Sequence, residues 1–73
     1  MRTEVVFNSG KGKALQTADG AVTVYELKYG RWIERFHTYS PPNKRMRPAE
    51  LRIYGEEVLN ELIPMLEKEA LEE

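Results

Sequence analysis

The sequence predicts an α+β fold of the type ββββα, in which an antiparallel sheet of four or five strands precedes one C-terminal helix. Two segments rich in β-branched and aromatic residues, 21–29 and 31–39, are separated by Gly30. Turn-forming residues cluster at 8–12 and again at Asp19 and Gly20. From residue 56 onward, apolar residues recur at helical spacing. Together these patterns favour strands followed by a helix.

The first half of the chain is expected to form consecutive hairpins. Residues 5–7 are a short β-prone run, and the turn-rich segment after them leads to a second arm at 13–17. Asp19 and Gly20 tolerate the positive φ of tight turns, so the chain should reverse there again. The segments 21–29 and 31–39 have the strongest strand character. We therefore place all strands within residues 3–54.

A basic loop is predicted over residues 40–50. It contains three prolines and no apolar periodicity. Residues 51–54 that follow allow two interpretations: a short strand, or part of a helix that begins at Pro48 and continues through Gly55. We expect the strand, because Ile53 lies outside the apolar stripe of such a helix and an interior glycine costs about 1 kcal/mol.

An acidic amphipathic helix is predicted over residues 56–72. Glu56 and Glu57 stand at its amino end, where the helix dipole favours negative charge. Pro64 lacks the amide that would bond to the carbonyl of Asn60. We therefore expect a kink near residue 60 or a break into two shorter helices.

Length and composition limit the possible classes of protein. The chain has 73 residues, 41% of them apolar, with no cysteine and one histidine, His37. This indicates a single small domain without a disulfide scaffold, metal site or cofactor. Because a chain this short buries only about 60% of its unfolded surface, homodimerisation is expected. No apolar run approaches the roughly 20 residues of a membrane span, so we expect a cytoplasmic protein without a membrane partner.

The net charge of −1 conceals an uneven distribution of charge. Residues 1–55 hold ten Lys or Arg against five acidic residues, net +5, whereas residues 56–73 hold one Lys against seven Glu, net −6. A basic body of this kind fits an anionic partner, and it equally fits internal neutralisation by the acidic helix.

Alternation along strands predicts which side chains share a face. In 31–39 the odd-numbered residues form one set, and the even-numbered residues, including Trp32 and Phe36, form the other. If Tyr25 and Tyr29 join the odd-numbered set, one face combines aromatic planes with cations, which single-stranded nucleic acid requires. The opposite pairing would bury both tyrosines with Trp32 and Phe36 and leave an ordinary half-polar sheet.

Residue patterns for catalysis are weak. The GKGK sequence at 10–13 lacks the spacing and the following helix of a phosphate-binding loop. Helix capping accounts for the adjacent Glu56 and Glu57, and neither Ser9 nor Ser40 has a recognisable histidine partner. We therefore expect no catalytic residues and no enzyme activity.

One segment carries a family resemblance. A strand ends in TYSP at 38–41, a basic loop with Met46 follows, Leu51 and Ile53 come next, and EEV at 56–58 opens the helix. This order resembles the short bacterial members of the transcriptional coactivator family of positive cofactor four. Residues 47–50, RPAE, stand where that family usually has Gly-Lys-Gly. The resemblance implies a curved four-stranded sheet, two chains paired through their helices, and single-stranded DNA bound across the sheets.

The predicted function is binding of single-stranded DNA with low sequence specificity, as an accessory factor in transcription, replication or repair. An RNA-binding protein, or a small module that docks on a larger complex through an edge strand or the acidic helix, is the alternative. The predicted nucleic-acid-binding residues are Lys11, Lys13, Tyr25, Tyr29, Arg31, Arg35, His37, Tyr39, Lys44 and Arg45, of which the resemblance also implies Arg31, Arg35, His37, Tyr39, Lys44 and Arg45. The predicted dimer interface comprises Leu59, Leu62, Ile63 and Leu66.

Overall fold

The structure, a computed structural model, describes residues 2–39 and 45–72. One antiparallel sheet has the strand order β1-β2-β3-β4, with β1 Thr3–Val6, β2 Gly12–Gln16, β3 Val22–Lys28 and β4 Arg31–Thr38. One helix follows in three consecutive segments: α1 Pro48–Glu57, a π-helical segment Val58–Leu62, and α2 Ile63–Glu72. The predicted ββββα fold is confirmed, with four strands in the described residues.

The predicted reversals of the chain are present. The first hairpin is closed by the Phe7 amide, which donates to the Gly12 carbonyl at 2.9 Å. In the second turn Gly20 has φ of +94°, and the Asp19 carboxylate accepts the Ala21 amide at 3.3 Å. These residues adopt the turn because glycine tolerates positive φ and the aspartate side chain satisfies a backbone amide two residues on.

The helix covers one face of the sheet, and the hydrophobic core lies between them. The buried core side chains are Phe7, Ala14, Val22, Val24, Leu51, Val58 and Ile63. Gln16 is buried with them, and its side-chain oxygen accepts the Met46 amide at 2.9 Å. This bond ties the segment before the helix to the sheet, because a buried amide without a partner would cost free energy.

The strand expected over residues 51–54 is wrong, since these residues belong to α1, which begins at Pro48 inside the predicted loop. Pro48 occupies the first helical position, and the Glu50 carboxylate accepts the amide of Arg47 at 3.1 Å. Gly55 is buried against the sheet, where an added Cβ would lie 2.6 Å from carbons of the Phe7 ring. The close approach of helix and sheet offsets the propensity cost of this glycine.

The expected irregularity before Pro64 takes the form of a π-helical turn. The amide of Ile63 donates to the carbonyl of Val58, five residues back. A wider turn at this position relieves the clash between the proline ring and the preceding turn. The chain remains helical from Pro48 to Glu72.

Candidate nucleic-acid interface

The face of the sheet opposite the helix, here called the open face, carries a cluster of aromatic and apolar side chains. Strand register and burial assign to it Glu4, Val6, Lys13, Leu15, Thr23, Tyr25, Leu27, Trp32, Glu34 and His37. Leu27 pairs with Trp32, and Tyr25 pairs with Glu34. Two aromatic rings on adjacent strands thus lie on a surface that the helix does not cover.

A β-bulge in β4 decides which side chains share the open face. Val24 pairs with Phe36 but Tyr25 pairs with Glu34, so Arg35 is the extra residue on β4. An extra residue shifts the alternation by one. Trp32 and Glu34 therefore lie on the open face before the bulge, whereas His37 lies there after it.

Neither predicted grouping of β4 residues is correct as a whole. Arg35 lies on the helix side, where its guanidinium pairs with Glu26 on β3 and, at 3.1 Å, with Glu67 on α2. The expectation that Arg35 shares a face with His37 is wrong, because the bulge separates them. The alternative in which Trp32 and Phe36 are buried together is wrong for the same reason: Trp32 is 40% exposed, whereas Phe36 packs against the core.

Lys13 lies between the aromatic rings of the open face. Its ammonium is 4.6 Å from the centroid of the Trp32 ring and 5.4 Å from that of the Tyr25 ring. It also pairs with the Glu4 carboxylate at 3.1 Å. Both contacts are attractive, because a cation interacts with the negative face of an aromatic ring and with a carboxylate.

His37 stands at the other end of the open face. Its ring nitrogen Nδ1 lies 2.8 Å from the hydroxyl of Thr23, its partner residue on β3. This contact fixes the orientation of an exposed imidazole on β4, an outer strand of the described sheet. The predicted place of His37 on the exposed sheet face is thus observed.

Cations collect at one end of the sheet, where the β1–β2 loop and the β3–β4 turn lie side by side. Leu27 donates its amide to the Lys11 carbonyl at 2.8 Å, which brings the loop and the end of β3 together. Lys28 and Arg31 are opposite each other across β3 and β4, and both are exposed. We call Lys11, Lys28 and Arg31 the cationic end. Lys28 and Arg31 alternate with Leu27 and Trp32 along their strands and therefore project to the side opposite the open face, whereas Lys11 lies opposite Leu27.

The remaining predicted binding residues lie in different places. Tyr29 is at the apex of the β3–β4 turn, and Tyr39 is exposed just beyond β4. Arg45 lies beside β1, at the opposite edge of the sheet, and its guanidinium is 3.4 Å from the Thr3 hydroxyl. Lys44 lies outside the described residues. Arg45 and Tyr39 are therefore not part of the cluster around Trp32.

The residues of the predicted dimer interface do not form one exposed surface. Ile63 is buried in the core of its own chain, and Leu59 and Leu62 pack against that core while half-buried. Leu66 is 46% exposed on α2. A chain-to-chain contact on this helix would use Leu66 and the neighbouring exposed Met65 more than the predicted stripe as a whole.

Trp32 is the residue of the candidate interface that alternation alone places on the wrong side of the sheet. Its large ring suggested the core, and the sequence contains no glycine or proline in β4 to indicate a bulge. The bulge is recognisable only through long-range contacts, which bring Phe36 to the core and Arg35 to the helix.

Comparisons with known proteins do not identify this chain: no family model, no curated protein and no solved structure matches it. Within residues 2–39 and 45–72, no helix has the length and apolar character needed to cross a membrane. Across the same residues, no group of three or more acidic or histidine side chains is arranged to hold a metal ion.

Proposed function

We propose that this protein binds single-stranded DNA, with low sequence specificity, on the open face of its sheet. The observation that carries the proposal is the arrangement of Tyr25 and Trp32 around the ammonium of Lys13, next to the cationic end. Unpaired bases stack on aromatic side chains with about 1 to 3 kcal/mol each, and this interaction does not depend on the identity of the base.

The phosphates would be met by the cations nearest to the rings. Lys13 lies among the rings, and the cationic end extends beyond the same region of the sheet. The two carboxylates on the open face differ in their surroundings, since Glu4 is paired with Lys13 and Glu34 faces Tyr25 across the strands. Because Lys13 and Lys11 lie at the end of the sheet away from His37, a strand of DNA is expected to run from Tyr25 over Trp32 towards the cationic end.

The resemblance of residues 37–66 to the positive cofactor four family supports the same function. The resemblance also implies a role in transcription, replication or repair and the pairing of two chains into a dimer. Such a dimer would place Leu66 and Met65 of α2 in the contact, because both are exposed and apolar. Sedimentation velocity of the wild type and of Leu66→Glu tests this pairing, since the charge should return a dimer to monomers.

The test of the binding function is fluorescence anisotropy of labelled oligo(dT), of the same length of duplex DNA, and of oligo(U). We expect the single strand to bind more tightly than the duplex and to lose affinity as salt is added, because bound phosphates release counterions. Equal binding of single strand and duplex, or none at low salt, would contradict the proposal. Tighter binding of oligo(U) would assign the face to RNA.

Two variants that each remove one cation localise the site. Lys11→Met should weaken binding and reduce the slope of log affinity against log salt by about 0.7, the value for one phosphate contact on a single strand. Arg35→Met should leave that slope unchanged, because Arg35 lies on the helix side in two ion pairs. The reverse pattern would move the site to the other face.

A protein-docking module is the second candidate. Strands β1 and β4 are the outer strands of the described sheet, and an outer strand can pair with an extended peptide. Such a module would show no salt-dependent affinity for oligonucleotides, so the same titration separates the two functions.

A further inference from the structure

The β3–β4 turn combines two residue choices that are locally unfavourable. Tyr29 and Gly30 both have positive φ, +53° and +74°, as a two-residue hairpin turn of this kind requires. Asparagine or glycine suits the first of these positions, whereas a tyrosine there is strained. Directly behind the turn, Lys28 and Arg31 are paired across the strands, although like charges in opposite positions repel each other.

Within residues 2–39 and 45–72, no contact that would offset these choices is observed. The Tyr29 side chain is 98% exposed, so burial does not stabilise it. Lys28 and Arg31 are both exposed, and neither forms an ion pair with another residue of the described part of the chain. Local backbone strain that is not offset by packing is typical of functional positions.

We infer that Tyr29 is a stacking wedge for the end of a duplex, so that the preferred substrate is a junction between single-stranded and double-stranded DNA. This inference rests on the proposed binding of single strands to the open face. Tyr29 lies at the apex, beyond the ends of both strands, whereas Tyr25 and Trp32 lie on the face itself. The Tyr29 ring at the apex can thus stack on a flat surface that lies just beyond the end of the bound single strand.

The terminal base pair of a duplex presents such a surface, and its aromatic area is larger than that of a single base. At a junction two phosphate chains diverge from this base pair. Lys28 and Arg31 project to the side of the turn opposite the open face, so they can meet the phosphate chain that diverges from the bound strand, and this contact would relieve their mutual repulsion. A single strand alone would need neither the apex ring nor a pair of like charges.

The test compares Tyr29→Asn with Tyr29→Phe. Asparagine tolerates positive φ, so Tyr29→Asn should raise the melting temperature by about 4 to 8 °C, the shift expected for relief of this strain in a domain of this size. Tyr29→Phe keeps both the strain and the ring, and its melting temperature should match the wild type. An unchanged melting temperature in Tyr29→Asn would overturn the interpretation of strain.

Binding is measured by anisotropy with three labelled DNAs: oligo(dT), a blunt duplex, and that duplex carrying the same oligo(dT) as a tail. The wild type and Tyr29→Phe should bind the tailed duplex at least about fivefold more tightly than the tail alone, as expected for one added stacking contact. Tyr29→Asn should lose this advantage and keep its affinity for oligo(dT).

The outcomes separate the two proposals. Equal affinity for the tailed duplex and the tail, or an advantage that survives in Tyr29→Asn, would overturn the wedge while leaving single-strand binding in place. Failure of all three proteins to bind oligo(dT) at low salt would overturn the proposed function itself, and the wedge with it.

Discussion

Trp32 and Phe36 provide the sharpest comparison of the two faces of the sheet. Both are aromatic residues of β4, but the bulge places Trp32 on the open face and Phe36 against the core. We expect Trp32→Leu to weaken the affinity for oligo(dT) and Phe36→Leu to lower stability instead. Leucine keeps apolar bulk at either position and removes the flat ring.

The magnitudes follow from the contacts. Loss of stacking on one base costs about 1 to 3 kcal/mol, which corresponds to about 5-fold to 150-fold weaker binding. Trp32→Leu also removes the interaction with the Lys13 ammonium at 4.6 Å, so the free energy of unfolding should fall by about 0.5 to 1 kcal/mol. Phe36→Leu should lower it by about 1 kcal/mol through imperfect packing and leave the affinity unchanged.

The assay is anisotropy of labelled oligo(dT) for affinity, with urea denaturation for stability. Each variant is titrated under conditions in which urea shows it to be fully folded. Unchanged affinity in Trp32→Leu, or equal weakening in both variants, would refute the assignment of the binding surface to the open face.

Two further predictions concern the fold. Gly55→Ala should destabilise the protein by about 1 to 3 kcal/mol despite the better helix propensity of alanine, because the new Cβ would lie 2.6 Å from the Phe7 ring. Urea denaturation measures this change in the free energy of unfolding. A stabilised variant would show that helix and sheet are not in close contact. The hydroxyl of Thr17 and the amide of Ala21 lower the pKa of Asp19, so this group stabilises the fold above its ordinary pKa and loses that contribution as pH falls through the lowered value. Thr17→Val should raise the pKa of Asp19 in an NMR titration and reduce the loss of stability in acid; an unchanged pKa would contradict this.

The hairpins and the long strands could be predicted because their signals are local. Asp19 and Gly20 specify a turn by their own conformational preferences, and residues 21–29 and 31–39 are strand-like throughout. The apolar spacing after residue 56 likewise indicates a helix without reference to the rest of the chain.

The beginning of the helix could not be predicted in the same way. Gly55 lowers helix propensity locally, and that cost is offset only by the approach of the helix to Phe7, which lies far away in the sequence. The exposed Ile53 is consistent with either a strand or a helix. Tertiary packing therefore decided between two interpretations that the local sequence left open.

The candidate site depended on the bulge at Arg35. The sequence placed His37 on an exposed sheet surface and left the face of Tyr25 open, but strict alternation assigned Arg35 to the surface of His37 and Trp32 to the other. The position of the bulge is favoured by two long-range contacts: Glu67 on α2 pairs with Arg35, and Phe36 packs against the core. Such contacts between distant parts of the chain leave no periodic signal in the sequence.

The most direct test of single-strand binding on the open face uses the single tryptophan of the chain, Trp32, as an internal reporter. Its fluorescence is followed while unlabelled oligo(dT) is added, and the affinity is compared with that from anisotropy. If bases stack on the open face, the emission should change to saturation with the same affinity, and the change should reverse on addition of salt. Binding by anisotropy without any change in Trp32 emission would place the DNA elsewhere and contradict the account.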